Sequence, residues 1–431
     1  MLTNERPSCR SLVLSQRAHW AADQAIGFLM QQGLENRDCL SLAAGFVDES
    51  RLPVGECRVA ADALLGDLAS GRQALQYGTT QGSETLRTAI LHHLSHLEQV
   101  PVDQLGITRE QIVLTTGSQQ LLALLADALF NPGDLCLVAA PTYFVFLGVL
   151  DGVGAKTLAV GTDEHGMQPE ALEQVLGELE AAGELSRVKM IYLVSDFENP
   201  SGVTLAAERR TAIVQIAKRW SKEQRILVLE DAAYRELRYD GKPLPSVWSQ
   251  DPEHEHVILA MTFSKSFAPG LRTGFGVLPT DLLAAVSNLK GNQDFGSAHW
   301  NQQLLAEVMV SGQYQKHVQS VREAYRLKRD AMLAAAEEYF GPLEGVTWVR
   351  PEGGLYVWMS LPKPVETGFQ SQLFQRATKH HQVMYVPGEL CYPQKTGTPA
   401  RHQMRLSFGV LSPELIREGM RRLAGAVQEC L

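Results

Sequence analysis

At 431 residues the chain is longer than one ordinary domain and suits a large domain with a smaller one, each able to bury a core. A hydrophobic fraction of 45% and a charged fraction of 20% are those of a globular protein. The 39 Lys and Arg against 48 Asp and Glu leave a formal net charge of -9, which argues against a nucleic-acid surface, because phosphate backbones demand clustered cations.

The opening segment MLTNERPSCRSLVLSQRAHW has no apolar stretch of signal-peptide length, and residues 15–33 read as an amphipathic helix. From there the chain alternates short aliphatic runs with helical stretches, the pattern of a largely parallel sheet covered on both faces, and the expected class is α/β. Strands are expected at 112–115, 135–139, 156–160, 190–194, 226–230, 257–261 and 274–278. Helices are expected at 118–130, 169–182, 205–221 and 281–290. A long helical pattern over 301–339 then leads to shorter strands at 347–349, 355–360, 383–386 and 404–410, a second and smaller α+β unit. The expected division is an N-terminal arm over 1–51 packing with the small domain, a large domain over 52–310 and a small domain over 311–431. The longest apolar run, LLALLADALF, is far short of a membrane span, and the six cysteines are scattered without a CxxC pair. A cytoplasmic protein without a metal site, a membrane or a nucleic-acid partner is expected.

In open α/β sheets, ligands gather beyond the carboxyl ends of the strands, so strand exits are the places to look for chemistry. One strand runs into Thr262-Phe263-Ser264-Lys265-Ser266-Phe267-Ala268-Pro269-Gly270-Leu271-Arg272. A lysine there can form an imine with an aldehyde if burial or nearby positive charge lowers its pKa. Alone, Lys265 reads as a solvated amine, but Arg272 offers forked donors for a dianionic phosphate, and Thr262 and Ser264 add hydroxyls. Thr115-Thr116-Gly117-Ser118-Gln119-Gln120 is a strand, a glycine turn and a helix start, which is either a phosphate seat or simply a capped helix. The strand ending in Glu230-Asp231 buries carboxylates that need a cation. A protonated pyridine nitrogen would supply it to Asp231, with Tyr234 reaching the ring oxygen; an N-cap role for Asp231 is the alternative. Asp196-Phe197-Glu198-Asn199-Pro200-Ser201-Gly202 is first a turn, and Asn199 at a strand exit is also a plausible donor to the same cofactor.

Together these segments resemble the class I and II aminotransferases of pyridoxal-phosphate (PLP) fold type I, from roughly residue 42 to 408. TFSKSFAPGLRTG is similar to that family's cofactor-lysine signature, and TTGSQQ, ENPSG, LEDAAYREL, PEGGLYVWMSLP and MRLSFG follow in the family's order. The resemblance implies a large domain with a seven-stranded, mostly parallel sheet, a smaller α+β domain and PLP as cofactor. It makes Lys265 the Schiff-base lysine and proton shuttle, and pairs Asp231 with the pyridinium. Tyr234 and Asn199 would bond the ring oxygen, and Tyr143 would stack on the ring. Ser118, Gln119, Thr262, Ser264 and Arg272 would hold the phosphate. Tyr77 would reach the phosphate of a neighbouring subunit, which implies a homodimer. Arg405 would clamp the substrate α-carboxylate, with Gly45 as a backbone contact and Asn199 beside it.

The implied reaction passes the amine of an L-amino acid to a 2-oxo acid such as 2-oxoglutarate. A PLP lyase or amino-acid oxidase on the same fold, or a non-catalytic ligand-sensing domain, is the alternative. Ser195 and Glu198 stand where relatives often carry proline and glutamine, and Thr262 where serine or glycine is usual. The segment GNQDFGSAHWN, 291–301, has no arginine, which argues against strict aspartate specificity. The subgroup most similar in character holds the 2-aminoadipate, kynurenine, aromatic and branched-chain enzymes, whose N-terminal helix helps form the pocket. In that setting Arg17 is either a side-chain carboxylate reader or an exposed arginine.

Overall fold

The structure is a computed structural model, describing residues 12–21, 27–29, 31–32, 38–393 and 400–431. Its main sheet has seven strands: β1 (Ile112–Thr115), β2 (Leu135–Ala139), β3 (Lys156–Val160), β4 (Val188–Val194), β5 (Leu227–Asp231), β6 (Val257–Thr262) and β7 (Gly274–Val277). They lie in the order β1-β7-β6-β5-β4-β2-β3. The pairs from β3 through to β6 are parallel, and β7 runs antiparallel between β1 and β6.

Burial explains why these runs read so clearly. Every residue of β5 and β6 is buried, whereas the edge strand β3 exposes Lys156 and Ala159. Alternate residues feed two apolar layers: Val113, Tyr192, Leu229 and Ala260 on one face, Leu114, Ile191, Val228 and Leu259 on the other. Helices cover both faces, including Gly117–Leu129 and Ala207–Trp220. Every expected strand of this sheet is present, with ends moved by no more than two residues.

The expected 301–339 helix is two, His299–Val310 and Gln313–Phe340, separated by Ser311 and Gly312. Beyond it lies an antiparallel sheet of β8 (Thr347–Trp348), β9 (Tyr356–Ser360), β10 (Val386–Pro387) and β11 (Gln403–Ser407), in the order β8-β9-β11-β10. The expected strand at 383–386 is divided at Tyr385. Val383–Met384 instead pairs in parallel with Leu40–Ser41, tying the N-terminal segment to the C-terminal part of the chain.

The arm behaves differently at its start. Of the expected helix over 15–33, Gln16–Trp20 is helical, as are residues 27–29 and 31–32, and residues 22–26, 30 and 33 lie outside the described residues. Gln16–Trp20 does not pack on the smaller sheet as the arm was expected to. It lies against the helices of the large one, with the Trp20 ring at Gly154 and Arg17 Nη2 2.7 Å from Asp127 Oδ1. No helix among the described residues is long and apolar enough to cross a membrane.

The close approach of β7 to the Gly117–Leu129 helix leaves no room at Gly274: a Cβ there would sit 2.6 Å from Ser118 N and 2.8 Å from Met261 O. Both are backbone atoms that cannot swing aside. Gly274→Ala is therefore expected to cost about 1–3 kcal/mol of stability by chemical denaturation. Gly270→Ala, with nothing within 4 Å, is expected to stay within about 0.5 kcal/mol of wild type. Equal effects of the two would contradict this packing.

Candidate active site

The carboxyl ends of β1, β4, β5 and β6 open on one cavity of about 140 Å³. Ser118, Gln119, Tyr143, Asn199, Asp231, Tyr234, Thr262, Ser264, Lys265 and Arg272 all line it. Ten of the expected site residues, drawn from distant stretches of sequence, thus meet at one place.

One end of the cavity is a donor cradle. Gly117 opens its helix at φ 71, a conformation that suits glycine, and its missing Cβ would stand 2.8 Å from Arg272 Nη2. Thr116 precedes it without a side-chain cap, so the first helical N–H groups remain available. Arg272 Nη1 donates to Ser264 Oγ at 3.3 Å, and Thr262 Oγ1 to Ser264 Oγ at 3.0 Å. Behind the cradle, Gln120 bridges the backbone N of Thr116, which donates to its Oε1, and Asp294, which accepts from its Nε2.

The other end is acidic. Asp231 Oδ2 accepts from Tyr192 Oη at 3.0 Å and Oδ1 from Ala233 N at 3.3 Å. Burial is the dominant influence and pushes its carboxyl up to about 6. Lys265 Nζ donates to the Gly45 carbonyl at 2.8 Å. Burial holds this amine below its usual range, with Arg405 and Arg272 adding to the effect against Tyr356 and Asp231.

Arg405 enters from β11, paired across to Trp358 and Val386. Its Nη1 donates to Asn199 Oδ1 and its Nη2 to Ala43 O, both at 2.8 Å, while Nε is buried without a partner. A guanidinium has five N–H donors, so two fix its orientation and three remain for a ligand. Gly45 lies beside it: a Cβ there would be 4.0 Å from Arg405 Nη2. Tyr77 stands apart, 88% exposed, on a surface shared with Leu75 and Phe295. Arg17, committed to Asp127, does not line the cavity.

Two residues have no role assigned from the sequence. Tyr356 presents its ring 4.3 Å from the Arg405 guanidinium and its hydroxyl 3.1 Å from Tyr234 Oη. Burial alone would raise this phenol, yet Arg405 and Lys265 bring it below its usual range. It lies inside PEGGLYVWMSLP, opposite Ser407 in the small sheet, and that register is the signal that could have found it. Tyr192, which orients Asp231, is a polar tip among the buried aliphatic residues of β4.

The family described as aminotransferase class I and II matches residues 37–423. The chain belongs to the class I and II aminotransferases. An aromatic-amino-acid aminotransferase of Thermococcus litoralis is 34% identical, over 92% of this chain and 89% of that protein. A 2-aminoadipate transaminase of Thermus thermophilus is 32% identical over 91% of each. The solved structure of a Pyrococcus horikoshii kynurenine aminotransferase, in complex with PMP, superposes with a TM-score of 0.87 at 33% identity, covering 96% of this chain and 97% of that one. The fold is PLP fold type I, the chain is a transferase of nitrogenous groups, and its cofactor is pyridoxal 5′-phosphate.

The residues fit that cofactor: one cavity gathers a buried acid with no ion-pair partner among the described residues, an amine of lowered pKa, and unclaimed N–H donors around a glycine. An aspartate whose folded pKa is raised from 3.8 to about 6 favours folding below the unfolded value and loses that contribution as pH rises through the folded one. Cofactor-free Asp231→Asn should therefore be more stable than cofactor-free wild type by ~2 kcal/mol at neutral pH, with the gap closing at acid pH. Thermal unfolding across pH checks this, and parallel curves at all pH values would contradict the buried-acid account.

Proposed function

We propose that this aminotransferase takes the α-amino group of a medium or large L-amino acid, of aromatic, branched or aminoadipate type, and delivers it to a 2-oxo acid such as 2-oxoglutarate. The observation that carries this reading is the geometry of Arg405, oriented by Asn199 and Ala43 with three donors left over, next to Gly45, whose carbonyl accepts from Lys265 Nζ. Bound PLP supplies the electron sink that lets the α-proton of an amino acid leave.

Each residue then has a task of its own. Arg405 grips the substrate α-carboxylate through paired N–H donors, with Gly45 as backbone contact, which turns the α-carbon toward Lys265. Lys265, with an amine lowered by burial, would take the proton from the substrate α-carbon and deliver it to the cofactor's C4′ carbon on the far side of the shared nitrogen. Asp231 holds the pyridinium proton, Tyr234 and Asn199 hold the ring oxygen, and Tyr143 covers the ring face. Ser118, Gln119, Thr262, Ser264 and Arg272 hold the phosphate. Asn199 Oδ1 is committed to Arg405, so its amide N–H groups are the ones left for the cofactor.

The same reading makes the protein a homodimer in which Tyr77 completes the neighbour's phosphate site. Supporting it, Leu75, Tyr77, Phe295 and Val310 are each at least 68% exposed on adjoining surface hollows, an apolar cluster of the kind that marks a protein–protein contact. It also divides the chain into an arm over 1–51, a cofactor-binding domain over 52–310 and a small domain over 311–431. The location is cytoplasmic.

A panel of L-amino acids assayed with 2-oxoglutarate for glutamate formation tests the substrate class. Aromatic, branched or aminoadipate-type donors are expected to give the highest kcat/KM, and Arg405→Lys to lower it about a hundredfold for every donor by losing the bidentate grip. Turnover confined to aspartate, or an Arg405→Lys enzyme of wild-type kcat/KM, would refute it. Light scattering is expected to give twice the chain mass of 47.5 kDa.

A further inference from the structure

Tyr314, the second residue of the helix Gln313–Phe340, is fully buried beneath the turn that carries Lys265. Phe263 meets its ring edge-on with centroids 5.6 Å apart, and Phe267 packs at 5.8 Å. These two residues flank Lys265 on either side, in a turn closed by Phe267 N donating to Phe263 O at 3.0 Å. Between them, Ser266 Oγ lies 2.7 Å from Tyr314 Oη.

The direction of that bond follows from its neighbour. Tyr314 Oη donates to Glu236 Oε2 at 2.6 Å, and a carboxylate can only accept. The single phenolic proton is thereby used, so Ser266 is the donor to the Tyr314 oxygen. Burial alone would raise the Glu236 carboxyl, yet His93, with Nε2 3.0 Å from Oε1, and then Tyr314 and Arg322 outweigh it and bring it down to about 2. Glu236 stays ionised in the interior because it is both paired and hydrogen-bonded. It follows Asp231 closely along the exit from β5, so the chain of contacts joins the segment bearing Asp231 to the segment bearing Lys265.

None of these groups lines the cavity. We propose that Tyr314 is a positioning residue for Lys265: the buried relay from Ser266 through Tyr314 and Glu236 to His93 fixes the lysine turn against the Asp231 strand exit, and so sets the direction from which the amine meets the cofactor. The inference rests on the assignment of Lys265 given above. A relay that only stabilises the core would affect unfolding and nothing else, whereas a positioning relay acts on the amine while leaving the Arg405 grip on substrate intact.

Tyr314→Phe and Ser266→Ala each remove one hydroxyl and keep the packing. Both are prepared as holoenzymes with wild type. Three quantities are read: the pH midpoint of the visible absorption of lysine-bound cofactor, kcat and KM separately, and the thermal midpoint. The expected result is an absorption midpoint displaced by ~0.5 unit or more, and kcat lowered about tenfold with KM within about twofold of wild type. If Tyr314→Phe does not fold, Ser266→Ala carries the test alone. Wild-type midpoint and kcat, with or without a lower thermal midpoint, would overturn the proposal. A wild-type holoenzyme lacking the lysine-dependent band would instead overturn the assignment of Lys265, and this inference with it.

Discussion

A carboxyl group buried at the end of β5 without a cation is the constraint around which the rest of this site is arranged. Asp231 has the Tyr192 hydroxyl and the Ala233 N–H, both dipoles, where a charge is needed. Burial outweighs them, and the carboxyl is held up to about 6. On the proposed reading a protonated pyridine ring would supply that charge, and the carboxylate would keep the ring electron-poor. The cradle at Gly117 and Arg272 and the amine of Lys265 belong to the same cavity. Acid, amine and anion seat are the three kinds of group the cofactor calls for.

The main sheet makes that order possible. Parallel strands deliver their carboxyl ends to one edge, so residues far apart in the chain arrive side by side, each backed by a strand buried on both faces. Arg405 is the exception, coming from the antiparallel small sheet and held in place by Asn199 and Ala43. On the proposed reading cofactor and substrate would be gripped by different parts of the chain, with Asn199, bonded to Arg405 and lining the cavity, between them. Tyr356 belongs to the same seam, its hydroxyl on Tyr234 and its ring against Arg405.

Much of this was legible in the sequence for a physical reason. Strands buried on both faces are short, unbroken aliphatic runs, so β1 and β2 coincide with their expected bounds, as does the partly exposed edge strand β3, and the others differ only at their ends. Residues at strand exits were legible because a lysine, a carboxylate pair and a glycine turn are chemically unusual there. Other features depend on packing that sequence does not display. The helix Phe144–Gly152, an aromatic and aliphatic run, has a composition that suits a strand equally well. Tyr192 and Tyr314 look like core aromatics until their hydroxyls are seen on Asp231 and Glu236. The division at Tyr385 arises because two short strands on either side of it pair with different partners. Arg17 was ambiguous between a pocket and a surface role, and it pairs with Asp127 as a contact between the arm and the Gly117–Leu129 helix.

The central claim is that Lys265, and no other amine, bonds the cofactor. Lys290 is the sharpest rival, fully buried and also lowered by burial, but paired with Asp294 at 2.8 Å. Borohydride reduction of the holoenzyme, followed by digestion and peptide mass spectrometry, separates the two. The account predicts the pyridoxyl phosphate mass on the peptide containing Lys265 and on no other. That mass on the Lys290 peptide, or on none, would contradict it.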